Sequence, residues 1–401
     1  MNYASIVPLI GGETIAMQQA FGTKPEYILS YEVFSNNDKH LLEYYGGTVP
    51  YTLLDNDTSK LGSAHGVDVV NTVCPCAGLS SLSPSSASDS PTNDWMLHTS
   101  RLVLEHIKPT VFWGENAPRL ASKMGSPIVS KLRAIGTEFG YSFSIFKTKS
   151  LLHGLSQVRD RTFYFFWKGD KVPVFEYIKR DHEKIEDTIR SVKRDPNDPM
   201  SQILTNSRVP SDNPFYKYVL QEIEGGITHA EFANKIEKTT NPLDYIEAHK
   251  ISYLDVGKWM KAHNYEREEA KCIRMYDKLA AGGNIMRKNT EIPKDYIGAF
   301  VGHMPTSLTH PDEDRYLTIR ECLAIMKLPN DFQLHGGLSN LNHICQNVPV
   351  STAKDMAMEV KSFIEGRSHN KMLDTNFLIQ DNKSQTLQYE NNGLQLDEFM
   401  V

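Results

Sequence analysis

Two side chains pair a nucleophile with an acid at places where a parallel sheet would present both. Cys76 stands in Cys74-Pro75-Cys76-Ala77-Gly78-Leu79-Ser80. Pro75 has a fixed φ and holds Cys74 extended, and Gly78 permits a sharp turn. Cys76 is therefore expected at a strand tip, where a nucleophile belongs. A cysteine taken alone is usually a small buried hydrophobe, and Cys74 is given that role. Glu115 stands in Gly114-Glu115-Asn116-Ala117-Pro118, after another strand-like run. A carboxyl group partly removed from water keeps its proton toward neutral pH and can donate it. A thiol and such an acid in one crevice suit nucleophilic addition assisted by proton donation.

A second set of residues suits a nucleoside. Gly11-Gly12 follows a strand-like run and opens a helix, and adjacent glycines let a ligand approach the backbone. No Gly-Lys-Ser/Thr follows, so this is not a P-loop. Glu32 comes 21 residues after Gly11, where nucleoside-binding sheets place an acid on the ribose hydroxyls.

These residues need a sheet to bring them together. Residues 6–10, 27–34, 67–73 and 109–113 read as strands and 13–20 as a helix, which favours an α/β fold with a mostly parallel sheet. Residues 141–147 and 161–167 read as an antiparallel pair near a sheet edge. From residue 168 strand runs thin out and charged helical stretches take over, a second, smaller domain of about 140 residues. Residues 316–328 and 353–365 read as helices, the latter with Met356, Val360, Phe363 and Ile364 on one face. The tail after Gly366 is rich in Asn, Gln and Lys and is expected to be poorly ordered. Seven serines lie between Ser80 and Ser90.

Composition narrows the function classes. The 401 residues are 40% hydrophobic and 23% charged, an ordinary globular balance that excludes collagen, coiled coil and whole-chain disorder. The 43 basic and 49 acidic residues give −6, so any nucleic-acid contact must be a local basic face. Residues 250–294 are such a stretch, with ten Lys/Arg against six Asp/Glu. Five cysteines, with no CxxC or paired histidines beside them, make neither a disulfide framework nor a metal site. With no membrane-length apolar run and no secretory leader pattern, a cytoplasmic location is expected.

The ordered set resembles the DNA (cytosine-5)-methyltransferases. Residues 74–80 look like the family's Pro-Cys-Gln-Gly-Phe-Ser nucleophile loop, Glu115-Asn116-Ala117 like its Glu-Asn-Val, and Gln157-Val158-Arg159-Asp160-Arg161 like its Gln-x-Arg-x-Arg. Leu317-Thr318-Ile319-Arg320-Glu321 with Leu328-Pro329-Asn330-Asp331-Phe332 resembles Leu-Thr-x-Arg-Glu followed by Phe-Pro-Asp-x-Phe. Ile344-Cys345-Gln346-Asn347-Val348-Pro349 is similar to Ile-Gly-Asn-x-Val-Pro. The first loop departs most: Val7, Leu9 and Gly11 stand where the family has Phe-x-Gly-x-Gly.

The resemblance implies a Rossmann-like S-adenosylmethionine-dependent catalytic domain over 1–167 and 310–366, a target-recognition domain over 168–309, and a tail over 367–401. It implies that Cys76 adds to C6 of a flipped-out cytosine, protonated Glu115 hydrogen-bonds N3, and Arg159 and Arg161 hold the base O2 and the cysteine loop. The cofactor would meet Ile10, Gly11, Gly12, Glu32, Asp55, Pro75, Asn347 and Val348. Duplex DNA would meet Ser80, Ser81, Gln157, Lys258, Lys261, Lys271 and Arg274. A monomer is expected, from a restriction–modification system or a phage. The alternatives are an RNA cytosine methyltransferase on the same core, a catalytically weak DNA-binding regulator, and transfer of another one-carbon group.

Overall fold

The computed structural model describes residues 1–54, 61, 66–75, 78–79, 87–205, 207–287, 290–302, 304–368 and 371–389. Along the chain run β1 (Tyr3–Ile6), α1 (Gly12–Phe21), β2 (Ile28–Ser30), α2 (Ser35–Tyr44), β3 (Tyr51–Leu53), β4 (Val69–Thr72), α3 (Asp94–Leu102), β5 (Val111–Asn116), α4 (Ser126–Glu138), β6 (Tyr141–Lys149), β7 (Asp160–Lys168) and β8 (Val172–Pro173). Then follow α5 (Ile185–Ser191), α6 (Pro214–Tyr218), α7 (His229–Lys235), α8 (Pro242–Ala248), α9 (Tyr253–Ala262), α10 (Glu266–Ala280), α11 (Ile319–Ile325) and α12 (Leu341–Gln346). The described chain closes with α13 (Val350–Ile364), β9 (Met372–Leu373), β10 (Phe377–Asp381) and β11 (Thr386–Tyr389).

The chain divides into two compact units. Unit 1 comprises Met1–His182, Met326–His335 and Gln346–Val401; unit 2 comprises Glu183–Ile325 and Gly336–Cys345. The first boundary lies beyond residue 167 because β8 stays with unit 1, pairing with β9 through Val172 and Leu373.

Unit 1 is Rossmann-like. Its nine-stranded sheet has the order β11-β10-β6-β7-β5-β4-β1-β2-β3. Pairing is parallel from β3 to β5 and between β10 and β6, and antiparallel at β5–β7, β6–β7 and β10–β11. β4 and β5 are buried along their whole length, as interior parallel strands with both faces covered must be. β1 has β2 on one side and β4 on the other, so the strand order reverses there. Open sheets bind ligands beyond the carboxyl ends of the strands at such a point.

Three expectations are corrected. The run 6–10 is not a strand: β1 ends at Ile6, and Val7 and Leu9 both take φ +51°, so the apolar stretch is a buried turn. The pair β6–β7 is interior, because β10 lies beside β6 and β11 beyond it. Those strands come from the tail, so residues 371–389 are ordered, contrary to the expectation from composition; Phe377, Leu378 and Ile379 are buried. Asn382 fastens the turn after β10, accepting from Ile178 N–H at 2.7 Å and donating to Thr148 Oγ1 at 3.0 Å.

α13 packs on α1, with Lys361 Nζ donating to Ala20 O at 2.9 Å. Its Asp355 accepts from His153 Nδ1 at 2.7 Å and pairs with Arg180 at 2.8 Å, while His153 Nε2 meets Thr148 Oγ1 at 2.7 Å. This buried network fixes α13, and with it residues 347–349, to the β6–β7 connection.

Unit 2 is helical, with Phe215, Tyr216, Phe232, Ile246, Val256 and Met260 in its core. Its Thr318 and Glu321 form a capping box at the start of α11: Thr318 N–H donates to Glu321 Oε2 at 2.7 Å and Glu321 N–H to Thr318 Oγ1 at 3.2 Å. Arg315 holds Glu321 from behind at 2.8 Å, and Arg320 grips Asp198 at 2.8 Å. Leu317-Thr318-Ile319-Arg320-Glu321 is thus a helix-starting device within this unit.

Candidate active site

The register of β5 and β7 assembles the acid–base core. Glu115 lies opposite Phe163, so Arg161, two residues on, is its diagonal neighbour on the same face. Arg161 Nε pairs with Glu115 Oε1, and both side chains are largely buried. Arg161 also donates to Asp160 O at 2.7 Å. Gly114 lets this end of β5 sit close to its neighbours: a Cβ there would lie 2.7 Å from Thr72 Cγ2 and from Tyr164 Oη.

Arg159 is buried and donates to Asn347 O at 3.1 Å. Asn347 Oδ1 in turn accepts from Gly12 N–H at 2.9 Å. One chain of contacts therefore links the two-arginine segment, the entry to α13 and the start of α1. Gln157, expected at the DNA, is fully buried, and its amide donates to Met326 Sδ at 3.3 Å.

The turn after β1 is tightly set. Its N–H and carbonyl groups reach both neighbouring strands, Val7 N–H to Leu29 O at 2.9 Å and Val73 N–H to Val7 O at 3.2 Å. Left-handed φ at a β-branched residue is a genuine outlier, and such strain costs about 1–3 kcal/mol per residue and collects at functional sites. Leu9 thus adopts the glycine-like conformation that the resemblance leads one to expect at its position, although it is not glycine. Gly11 takes φ +98°, and its Cβ would meet Leu41 at 2.4 Å; a Cβ on Gly12 would meet Val348 O at 2.1 Å. Gly11 is required by its left-handed φ and Gly12 by close approach to the backbone. Ile10 and Val348 are buried, and Glu32, just beyond β2, is exposed.

Pro75 is half-buried beyond β4. Cys74 is buried within 3.4 Å of Thr72 Oγ1, and burial pushes its thiol pKa up, as befits a packing role. Cys76, Asp55, Ser80 and Ser81 lie outside the described residues. The segments flanking the serine-rich stretch are pinned: Ala87 N–H donates to Gly78 O at 3.0 Å, and Asn93 donates to Ala87 O at 3.0 Å.

Two buried acids escaped the sequence reading. Glu13, in the first turn of α1, is wholly buried, and burial first and the nearby Glu115 carboxyl second push its pKa well up. Asp38, in α2, accepts from Tyr51 Oη at 2.9 Å; burial raises its pKa to about 7 against the opposing effects of Ser30, Tyr51 and the Leu9 backbone. It steadies the strained turn. The available signal was an acid in otherwise apolar company, as in Gly12-Glu13-Thr14-Ile15-Ala16-Met17.

In unit 2, Lys258 and Lys261 are exposed on α9 but paired, with Asp255 at 2.7 Å and Glu269 at 3.6 Å. Lys271 lies over the Phe215 ring at 5.0 Å, and burial lowers its pKa. It lines a cleft of about 290 Å³ with Arg208 and Arg267. Arg274 is exposed on α10. Among the described residues no His, Cys, Asp and Glu side chains gather as metal ligands, and no helix is long and apolar enough to cross a membrane.

A sequence profile of the C-5 cytosine-specific DNA methylases matches residues 1–362. A Methanocaldococcus jannaschii protein assigned as a type II methyltransferase is 26% identical over 141 residues, 32% of this chain and 45% of that protein. The chain thus spans less than half of that relative's length. Three solved structures share the fold. A DNA modification methyltransferase encoded within an Escherichia coli prophage has 14% identity and TM-score 0.59, covering 91% of this chain and 99% of its own. The Entamoeba histolytica methyltransferase EhMeth has 12% identity and TM-score 0.55, covering 91% and 98%. The S. pombe Dnmt2 methyltransferase has 11% and 0.53, covering 91% and 99%.

Proposed function

Because the chain belongs to the C-5 cytosine-specific DNA methylases, we propose that it methylates C5 of a flipped-out cytosine in duplex DNA, through a covalent bond between Cys76 and C6. The observation that carries this reading is the buried pairing of Glu115 with Arg161, beside Arg159 and next to the strand end that leads to Cys76. C5 of cytosine is a poor nucleophile. Addition of the Cys76 thiolate to C6 gives C5 enamine character. The Glu115 carboxyl faces N3 and accommodates charge developing there. Arg161 holds Glu115 and the base O2, and Arg159 holds the Asn347 segment at the entry to α13. Loss of the C5 proton then expels Cys76.

S-adenosylmethionine supplies the methyl group when bound. The turn through Gly11 and Gly12, the orphaned buried carboxyl of Glu13 and the exposed Glu32 fit a cationic nucleoside. Asn347 and Val348 close on this turn from the α13 side, and Asp55 is the candidate for the adenine amino group. The target base leaves the stack to react, and Ser80 and Ser81 are the candidate contacts to the DNA beside it. Lys271 and Arg274 serve the phosphates; Lys258 and Lys261, already paired, contribute less. A restriction–modification or phage setting suits such an enzyme, acting as a monomer in the cytoplasm.

The test uses radiolabelled S-adenosylmethionine with duplex DNA of varied sequence and, in parallel, structured RNA. Labelled 5-methylcytosine in DNA, lost in Cys76→Ala, is the expected result. Label in RNA alone, or in neither, overturns the proposal.

A further inference from the structure

The buried acid Glu13 fits a cationic nucleoside, but the chemistry above gives it no specific role. Glu13 is 0% exposed, and neither carboxyl oxygen has a hydrogen-bond partner of normal geometry. The polar groups around it largely satisfy one another. Ser5 Oγ donates to Asn71 Oδ1 at 2.7 Å, Thr14 Oγ1 donates to Ser5 Oγ at 2.9 Å, and Asn71 Nδ2 reaches Thr14 Oγ1 at 3.5 Å. Asn71 is also the polar neighbour that favours ionised Glu13, and it offsets burial only in part. Among the described residues, the titratable groups that act on this carboxyl or feel its charge are Glu115 on β5, Tyr164 on β7 and Cys74 after β4. All are acids, and of these Glu115 already has a cationic partner in Arg161.

A buried carboxyl kept among other acids is a site waiting for a positive charge. Its place is specific: the first turn of α1, directly after the Gly11–Gly12 turn, between the ends of β1 and β4 and close to Glu115. Resting on the methyl-donor reading above, we propose that Glu13 is the counter-charge to the donor's sulfonium. The carboxyl ionises as the cation arrives and returns to its neutral state once the spent cofactor, an uncharged thioether, takes its place. The residue would thereby favour donor over product at the same site, a preference set by charge rather than by shape.

The test is calorimetry on the full chain with S-adenosylmethionine and with S-adenosylhomocysteine, repeated in buffers of different ionisation enthalpy. Both ligands carry the α-ammonium, and only the first carries the sulfonium. For the wild type, binding of S-adenosylmethionine is expected to release up to about one proton, and binding of S-adenosylhomocysteine close to none. Glu13→Gln should weaken S-adenosylmethionine by roughly 30-fold and S-adenosylhomocysteine by less than about threefold, and should abolish the proton release. Equal weakening of both ligands, unchanged binding, or wild-type donor binding without proton release overturns the inference. If Glu13→Gln fails to fold, infrared difference spectra of the wild type decide: loss of a protonated-carboxyl band on donor binding supports the inference, and its persistence overturns it. A folded wild type that binds neither ligand removes the methyl-donor reading itself, and this inference with it.

Discussion

Replacing Gly12 by alanine tests the close approach on which the cofactor side of the site depends. The new Cβ would stand 2.1 Å from Val348 O, 2.4 Å from Asn347 Oδ1 and 2.6 Å from Asn347 Nδ2. Backbone oxygen cannot rotate away, so α1 and the 347–348 segment must separate by more than an ångström. That separation also breaks the 2.9 Å bond from Gly12 N–H to Asn347, whose side chain is 2% exposed. Overpacking costs about 1–3 kcal/mol, and a stranded buried polar group about 1–3 kcal/mol. Better helix propensity returns up to about 1 kcal/mol, leaving a net loss of roughly 2–4 kcal/mol. At about 2–4 °C per kcal/mol, Tm falls by roughly 5–15 °C. Urea unfolding and thermal melts measure it. Gly22→Ala is the control: Gly22 has φ +81° with nothing within 4 Å of its Cβ, so left-handed strain of about 1–2 kcal/mol is its only cost. If Gly12→Ala costs no more than Gly22→Ala, the close approach described here is wrong.

Asp38 makes stability depend on pH. Its folded pKa is raised from 3.8 to about 7, so its contribution is fully present below pH 3.8 and is lost as pH rises through 7. Asp38→Asn should match the wild type at pH 4 and exceed it by roughly 4 kcal/mol at pH 8 in urea titrations. Thr318→Ala removes the capping box on α11 and should cost about 1–2 kcal/mol of unfolding free energy. Duplex affinity should fall steeply with salt. Lys271→Gln and Arg274→Gln should each reduce the slope of log K against log salt by about 0.9 for every phosphate that is no longer neutralised, whereas Lys258→Gln should change it little; fluorescence anisotropy across a salt series reads both.

Much of this architecture is legible in the chain because local chemistry and tertiary role agree. Pro75 marks the end of β4, Gly11 and Gly12 mark the turn that opens α1, and Gly114 and Glu115 lie near the carboxyl end of β5. The antiparallel partners β6 and β7 are plain from their apolar and aromatic runs, whereas the β5–β7 register that joins Glu115 to Arg161 depends on long-range pairing that local sequence does not show. What escaped has physical reasons. Val7-Pro8-Leu9 reads as strand because its side chains are apolar and buried, while the backbone conformation is imposed by tertiary contacts. β10 and β11 lie in a polar tail whose composition hides their pairing with β6. Glu13 and Asp38 were missed because periodicity assigns acids to the surface, whereas both are buried. Gln157 errs in the other direction, a polar residue of a functional motif spent on packing.

The most direct test of the central claim is a trap. Duplex DNA carrying 5-fluorocytosine is incubated with the protein and S-adenosylmethionine, and the product is analysed by mass spectrometry. Fluorine cannot leave C5 as a proton does, so the reaction should stall with the base methylated and bonded to Cys76. The account predicts one DNA adduct per chain, mapped to Cys76, heavier by one methyl group and absent in Cys76→Ala. Methyl transfer to DNA with no adduct, or an adduct mapped to another residue, would contradict it.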